Sequence, residues 1–109
     1  MATRTKILVV DSDLDTLSRI YLALVHRNYK AEASDKEAEI PERIKRLKPS
    51  VVILGKKEYF TYKDKLKTPC IVLLDNDDTE VFSTPEDVIV LKKPVQLESL
   101  VQKIEELVY

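Results

Sequence analysis

Few side chains in this 109-residue chain are of types that run chemistry, and most of them occur singly. There is one histidine, His26, and one cysteine, Cys70. Ser/His or Cys/His catalysis needs a base beside its nucleophile, and a structural zinc needs several thiolates or imidazoles. Here both would have to share one imidazole, and no disulfide can form within the chain. Cys70 lies in an apolar run and reads as a small core residue. His26, near the end of a helical segment, reads as a favourable C-terminal charge or a plain surface group.

Glycine is rarer than in most domains: Gly55 is the only one. Phosphate-cradling loops need several residues that let backbone N–H groups close around an anion. Neither GxGxxG nor GxxxxGK[ST] can be written with one glycine, so nucleotide binding through such a loop is excluded. What remains is carboxylate and amine: Asp11-Ser12-Asp13, Asp75-Asn76-Asp77-Asp78 and Lys93. Asp75, Asp77, Thr79 and Glu86 fall on ligand positions of a calcium loop. Glu80 stands where that loop needs glycine, however, and a strand precedes it, so the stretch reads as a solvated loop. Asp13 offers a metal ligand or a helix cap, and the cap is the simpler reading.

The elements that would position these groups alternate. Lys6–Val10 is a continuous β-branched apolar run, as in a strand buried on both faces. A helix follows to about Arg27, with Leu14, Leu17, Tyr21, Leu24 and Val25 as its inward stripe and Ser12 with Asp15 resembling a capping box. Lys30–Ala33 is a weaker strand. Asp35 to Lys48 reads as a helix with Ile40, Ile44 and Leu47 inward, its regular part starting near Pro41. Val51–Leu54, Cys70–Leu74 and Val88–Leu91 are further strands, and Pro94 opens a last helix striped by Leu97, Leu100, Val101, Ile104, Leu107 and Val108. Such alternation predicts one α/β domain, a doubly wound, five-stranded parallel sheet in a three-layer sandwich. Function then belongs at the carboxyl ends of the strands, at Asp11–Asp13, Gly55–Lys57, Asp75–Asp78 and Lys92–Pro94.

At those edges the chain resembles a response-regulator receiver domain of the CheY-like, flavodoxin-like type, over nearly its whole length. KILVVDSD (Lys6–Asp13), KPSVVILG (Lys48–Gly55), TPCIVLLD (Thr68–Asp75) and LKKPVQLESLVQKI (Leu91–Ile104) carry the likeness in the family's order. The resemblance implies an aspartate that accepts a phosphoryl group, two acidic residues that hold Mg²⁺, a hydroxyl and a lysine that bind phosphate oxygens, and an aromatic switch. Carried over residue by residue, the acceptor position falls on Gly55, which has no side chain. The first acidic position is kept as Asp11 and the second falls on Ser12. The switch hydroxyl position falls on Leu74 and the aromatic switch on Val90, while Lys93 is retained. The likeness thus implies the fold and denies the usual activity, a degenerate or pseudo-receiver. The short spans Gly55–Cys70 and Thr79–Thr84 predict reduced third and fourth helices, and with them an altered partner surface.

Two readings of Asp11 and Lys93 stay open: a residual cation or anion site, or a mutual pair that neutralises two partly buried charges. Tyr59-Phe60-Thr61-Tyr62 likewise divides between an interaction surface, which Val90 would adjoin, and rings covering core that a longer helix would shield. Eighteen basic residues against nineteen acidic give a net charge of −1, which indicates neither nucleic acid nor an anionic membrane as partner. The four-residue apolar run before Asp11 is too short for a signal peptide or a membrane span, so the cytoplasm is the expected location. The expected function is a phosphorylation-independent protein-interaction module in signalling or regulation, not an enzyme, without cofactor or metal. Its partner would be a sensor, regulator or output domain, or a second copy. A divergent receiver that still binds Mg²⁺, phosphate or another anion is the second reading. An enzyme of unrelated chemistry on the same fold is the third.

Overall fold

A computed structural model describes residues 5–79 and 83–108. Its sheet is built from β1 (Lys6–Val10), β2 (Lys30–Ser34), β3 (Val51–Gly55), β4 (Cys70–Leu74) and β5 (Val88–Lys92), every pair parallel, in the order β2-β1-β3-β4-β5. That is the flavodoxin-like order, with its switch point between β1 and β3. The helices are α1 (Leu14–His26), α2 (Ile40–Leu47), α3 (Lys56–Tyr62) and α4 (Leu97–Val108). β3 and β4 are buried along their whole length, which is why their sequences are unbroken apolar runs.

The sheet separates two cores because successive strand residues point to opposite faces. Ile7, Val9, Val51, Ile53, Ile71 and Leu73 meet α1 and α4 through Leu17, Ile20, Leu24, Leu100 and Ile104. Leu8, Val10, Val52, Leu54, Val72 and Leu74 meet α2 and α3 through Ile40, Leu47 and Tyr59. With glycine so scarce, two helices end on non-glycine residues of positive φ, Asn28 (67°) and Lys48 (53°), the latter closing α2 onto the Ile44 carbonyl.

Several expectations need correction. Asp13, not Ser12, caps α1: its carboxylate accepts from the Asp15 and Thr16 amides, and Ser12 is exposed. The inward stripe of α1 is Leu17, Ile20, Ala23 and Leu24, whereas Leu14, Tyr21 and Val25 face outward. The two stripes lie roughly 100° apart round the helix, and contact with the sheet selects one of them. In the segment 35–48 the regular helix starts where Pro41 predicts: a 3₁₀ turn, Glu37–Glu39, leads into α2, with Pro41 in its first turn. Pro94 precedes α4 without opening it. Val95 is buried and the first α-helical bond runs from the Leu100 amide to the Gln96 carbonyl.

α3 has 7 residues, as the short β3–β4 span predicts. Between β4 and β5 no helix occurs among the described residues; part of Thr79–Thr84, namely residues 80–82, lies outside them, as does Glu80 of the calcium-loop pattern. Val88 and Val90 of β5 are accordingly only partly buried. No helix among the described residues is long and apolar enough to cross a membrane.

The two faces of α1 give the first test. Leu24, fully buried, is expected to cost about 2–5 kcal/mol when changed to Ala. Leu22→Ala, on the outward face, should stay within about 0.5 kcal/mol in urea denaturation. Equal costs would place the stripe wrongly.

Candidate functional site

The carboxyl ends of β1, β3, β4 and β5 surround a cleft of about 280 Å³ lined by Asp11, Ser12, Gly55, Glu58, Asp75 and Lys93, with Lys56, Lys57, Leu73 and Asp78 at its margins. The extension of each strand by one residue puts these groups there. The Asp11 amide continues the ladder to the Ser34 carbonyl (3.2 Å), and the Lys93 amide continues it to the Leu74 carbonyl (2.7 Å).

Asp11 is 3% exposed. Its Oδ1 accepts the Asp13 amide at 2.9 Å, turning the chain sharply into α1. Its Oδ2 is buried without a hydrogen bond and lies 3.0 Å from Lys93 Nζ, so this contact is an ion pair. Asp13 and Asp75 stand further from the same ammonium, at 3.9 and 3.4 Å. Burial works against the charge on Lys93, but the Asp11 carboxylate, helped by Asp75, outweighs it and raises the amine above its ordinary value. Of the two readings of Asp11 and Lys93, the mutual pair is the one the geometry displays. Asp13 is held below the usual carboxylate range, chiefly by the Thr16 hydroxyl, which donates to it at 2.7 Å.

Gly55 ends β3 with φ −71° and ψ 165°, a conformation open to any residue. Backbone freedom therefore does not explain the glycine, and the atoms nearest to it belong to the end of one flexible side chain. A Cβ at position 55 would stand 2.7 Å from Glu58 Oε2 and 3.3 Å from its Cδ. Glu58 lies three residues into α3, folds back over the helix start and takes a hydrogen bond from its own amide. Its carboxyl fills the volume that an acceptor side chain at position 55 would need. Burial, then the negative charges of Asp11 and Glu37, push the Glu58 carboxyl above the usual range. Sequence reasoning passed over Glu58; the signal was a glutamate at the third helical position after the chain's one glycine.

Lys56, in the expected Gly55–Lys57 stretch, pairs with Asp78 of the Asp75–Asp78 stretch at 3.0 Å. Asp75 and Asp77 are exposed. Leu74, at the position of the switch hydroxyl, is 7% exposed and packs in the α2–α3 core. Val90 is half-buried on the same face. The aromatic cluster splits. Tyr59 is 6% exposed and belongs to the core, which corrects its place on the expected partner surface: the short α3 needs its ring to cover β3 and β4. Tyr62 is half-buried against that core, and Phe60 points outward at 38% exposure with the Lys63 ammonium 5.3 Å from its ring centre. Burial pushes the Cys70 thiol up to about 12, so it stays protonated, and it donates to the Thr68 carbonyl. His26 is exposed at the end of α1.

No family model matches the sequence, and no curated protein does. Solved structures do match, and many of them are response-regulator receiver domains. The N-terminal domain of the nisin resistance regulator NsrR superposes with a TM-score of 0.78 at 15% identity, covering 98% of this chain and 100% of that one. A response regulator receiver modulated diguanylate cyclase from Pelobacter carbinolicus gives 0.70 at 25% identity, over 94% and 92%. The Vibrio cholerae chemotaxis protein CheY4 gives 0.72 at 17% identity, over 96% and 99%. The chain has the fold of a response-regulator receiver domain.

Two predictions follow from the buried charges. Lys93→Met is expected to cost about 3–5 kcal/mol, because it strands the Asp11 carboxylate, and adding Asp11→Leu should recover most of the loss. Because Glu58 has a raised pKa in the folded protein, its contribution is most favourable below the ordinary carboxylate value and is lost as pH rises through the raised one. Glu58→Gln should therefore stabilise the protein at neutral pH and flatten the fall in stability above pH ~5. Thermal melts from pH 4 to 8 read this directly, and an unchanged pH profile would place Glu58 in solvent.

Proposed function

We propose that this chain is a phosphorylation-independent protein-interaction module of a signalling or regulatory system, a receiver frame that has given up the phosphoryl chemistry. The observation that carries the reading is the Glu58 carboxyl folded into the space beside Gly55. An acyl phosphate needs a carboxylate at the end of β3 with room for three phosphoryl oxygens, and Mg²⁺ beside it needs oxygen ligands of high charge. Position 55 has no side chain, its space is taken, and the second acidic position is Ser12. The lysine that would meet phosphate oxygens is already paired with Asp11, and Leu74 can donate no hydrogen bond from its side chain.

On this reading the chain is not an enzyme and needs no cofactor or metal. It acts in the cytoplasm through a sensor, regulator or output domain, or through a second copy of itself. Nucleic acid and membrane are poor partners for a surface of balanced charge. The second reading, a site that still takes a small anion or Mg²⁺, draws on the cleft itself, where Lys93, Lys56 and three aspartates converge. A ligand there would compete with two internal ion pairs, Lys93 with Asp11 and Lys56 with Asp78.

A backbone-amide NMR titration with Mg²⁺ and beryllofluoride, a mimic of the acyl phosphate, distinguishes the two. Unmoved resonances at millimolar concentrations are expected. Concerted shifts at Asp11, Asp75 and Lys93 would establish the second reading in its place.

A further inference from the structure

α1 carries a second apolar stripe that the fold does not use. Leu14, Tyr21, Leu22 and Val25 are 58, 36, 60 and 47% exposed, and with Ser18 they recur at helical spacing on one face. The other side of the helix packs on β1, β2 and α4 through Leu17, Ile20 and Leu24. Single exposed leucines are ordinary, but four large apolar side chains aligned on one helix face mark a docking surface. The one further large hydrophobic exposed to this degree among the described residues, Phe60, lies on α3 in the other layer.

We propose that this face binds a second copy of the chain, α1 against α1, antiparallel about a two-fold axis. An interface of that symmetry must be complementary to itself, and α1 has the required pattern. In antiparallel register Leu14 of one copy meets Val25 of the other. The small Ser18, near the middle of the stripe, faces the bulky Tyr21 and Leu22, so large side chains seat against a small one from both directions. The charges agree. Asp13 and Asp15 lie at the start of the helix, His26 and Arg27 at its end, and all four are exposed. Asp15 and His26 flank the stripe on the same side, so antiparallel pairing sets the acidic end of each copy against the basic end of the other. Parallel pairing would set like on like. A helix of 13 residues is roughly 20 Å long, so one helix pair falls below the ~1,200 Å² of standard interfaces, and the dimer is weak and concentration-dependent.

The inference deepens the interaction-module reading by naming one partner. It stands on α1 alone: the beryllofluoride titration reports the cleft and can fail without it. Sedimentation equilibrium of the whole chain from about 10 µM to 1 mM is the test, and the mean mass is expected to rise from monomer toward dimer. Leu22→Glu should raise the dissociation constant at least ~10-fold while leaving the circular dichroism spectrum and urea midpoint unchanged. Asp15→Lys should weaken the dimer by a few-fold, and combining it with His26→Glu should restore it to within about twofold. That rescue separates pairing across the interface from a helix-end effect, because the double reversal is worse for the helix dipole than the single one. A monomer throughout the range, or a dimer indifferent to Leu22→Glu, overturns the proposal and leaves the stripe to a different protein.

Discussion

The carboxyl edge of the sheet depends on one buried ion pair. Asp11 ends β1 and Lys93 follows β5, and in the order β2-β1-β3-β4-β5 two strands lie between them. At about 4.8 Å per strand the backbones are roughly 14 Å apart, a distance that aspartate and lysine side chains reaching toward each other can bridge. A carboxylate buried as deeply as Asp11 persists only with a cation beside it. The pair therefore ties the two sides of the sheet together across the ends of β3 and β4.

Gly55 and Glu58 make sense only together. A glutamate at the third position of a helix turns back naturally to its start. It can do so here because position 55 carries no Cβ. Restoring a side chain at 55 would displace the Glu58 carboxyl, which burial and then the charges of Asp11 and Glu37 already push above the usual carboxylate range. The cleft keeps the outline of a receiver site while its charged groups are largely spent on one another: Lys93 on Asp11, Lys56 on Asp78, Asp13 on the first turn of α1.

Much of this was legible in the sequence, for physical reasons. Strands buried on both faces write themselves as unbroken runs, and KILVV, VVIL and CIVLL were placed almost to the residue. The parallel sheet followed from alternation, and the vacancy at Gly55 from the order of four motifs. The face of α1 was not legible, because Leu14-Tyr21-Val25 and Leu17-Ile20-Leu24 both satisfy helical periodicity. Only the sheet, a tertiary partner, decides between them. Glu58 was missed because its significance lies in a contact with an absent atom. Tyr59 was half-read, since a ring next to a truncated helix can serve core or surface and its strand contacts settle the matter.

The two cores make the fold independent of the groups at the carboxyl edge. The sheet faces and their helices are filled by aliphatic side chains that reach no further than the strand ends, and Leu74, at the switch position, has joined them. Removing a metal ligand or an acceptor at the edge takes nothing from that packing. Replacing a switch hydroxyl by leucine adds to it by burying a side chain that then has no reason to move. In β4 and β5, Leu74 and Val90 pack in the α2–α3 core, and beyond β5 Lys93 pairs with Asp11. A scaffold fixed in this way can still present a surface. On the proposed reading, such a scaffold carries information through what it associates with and not through a change of shape.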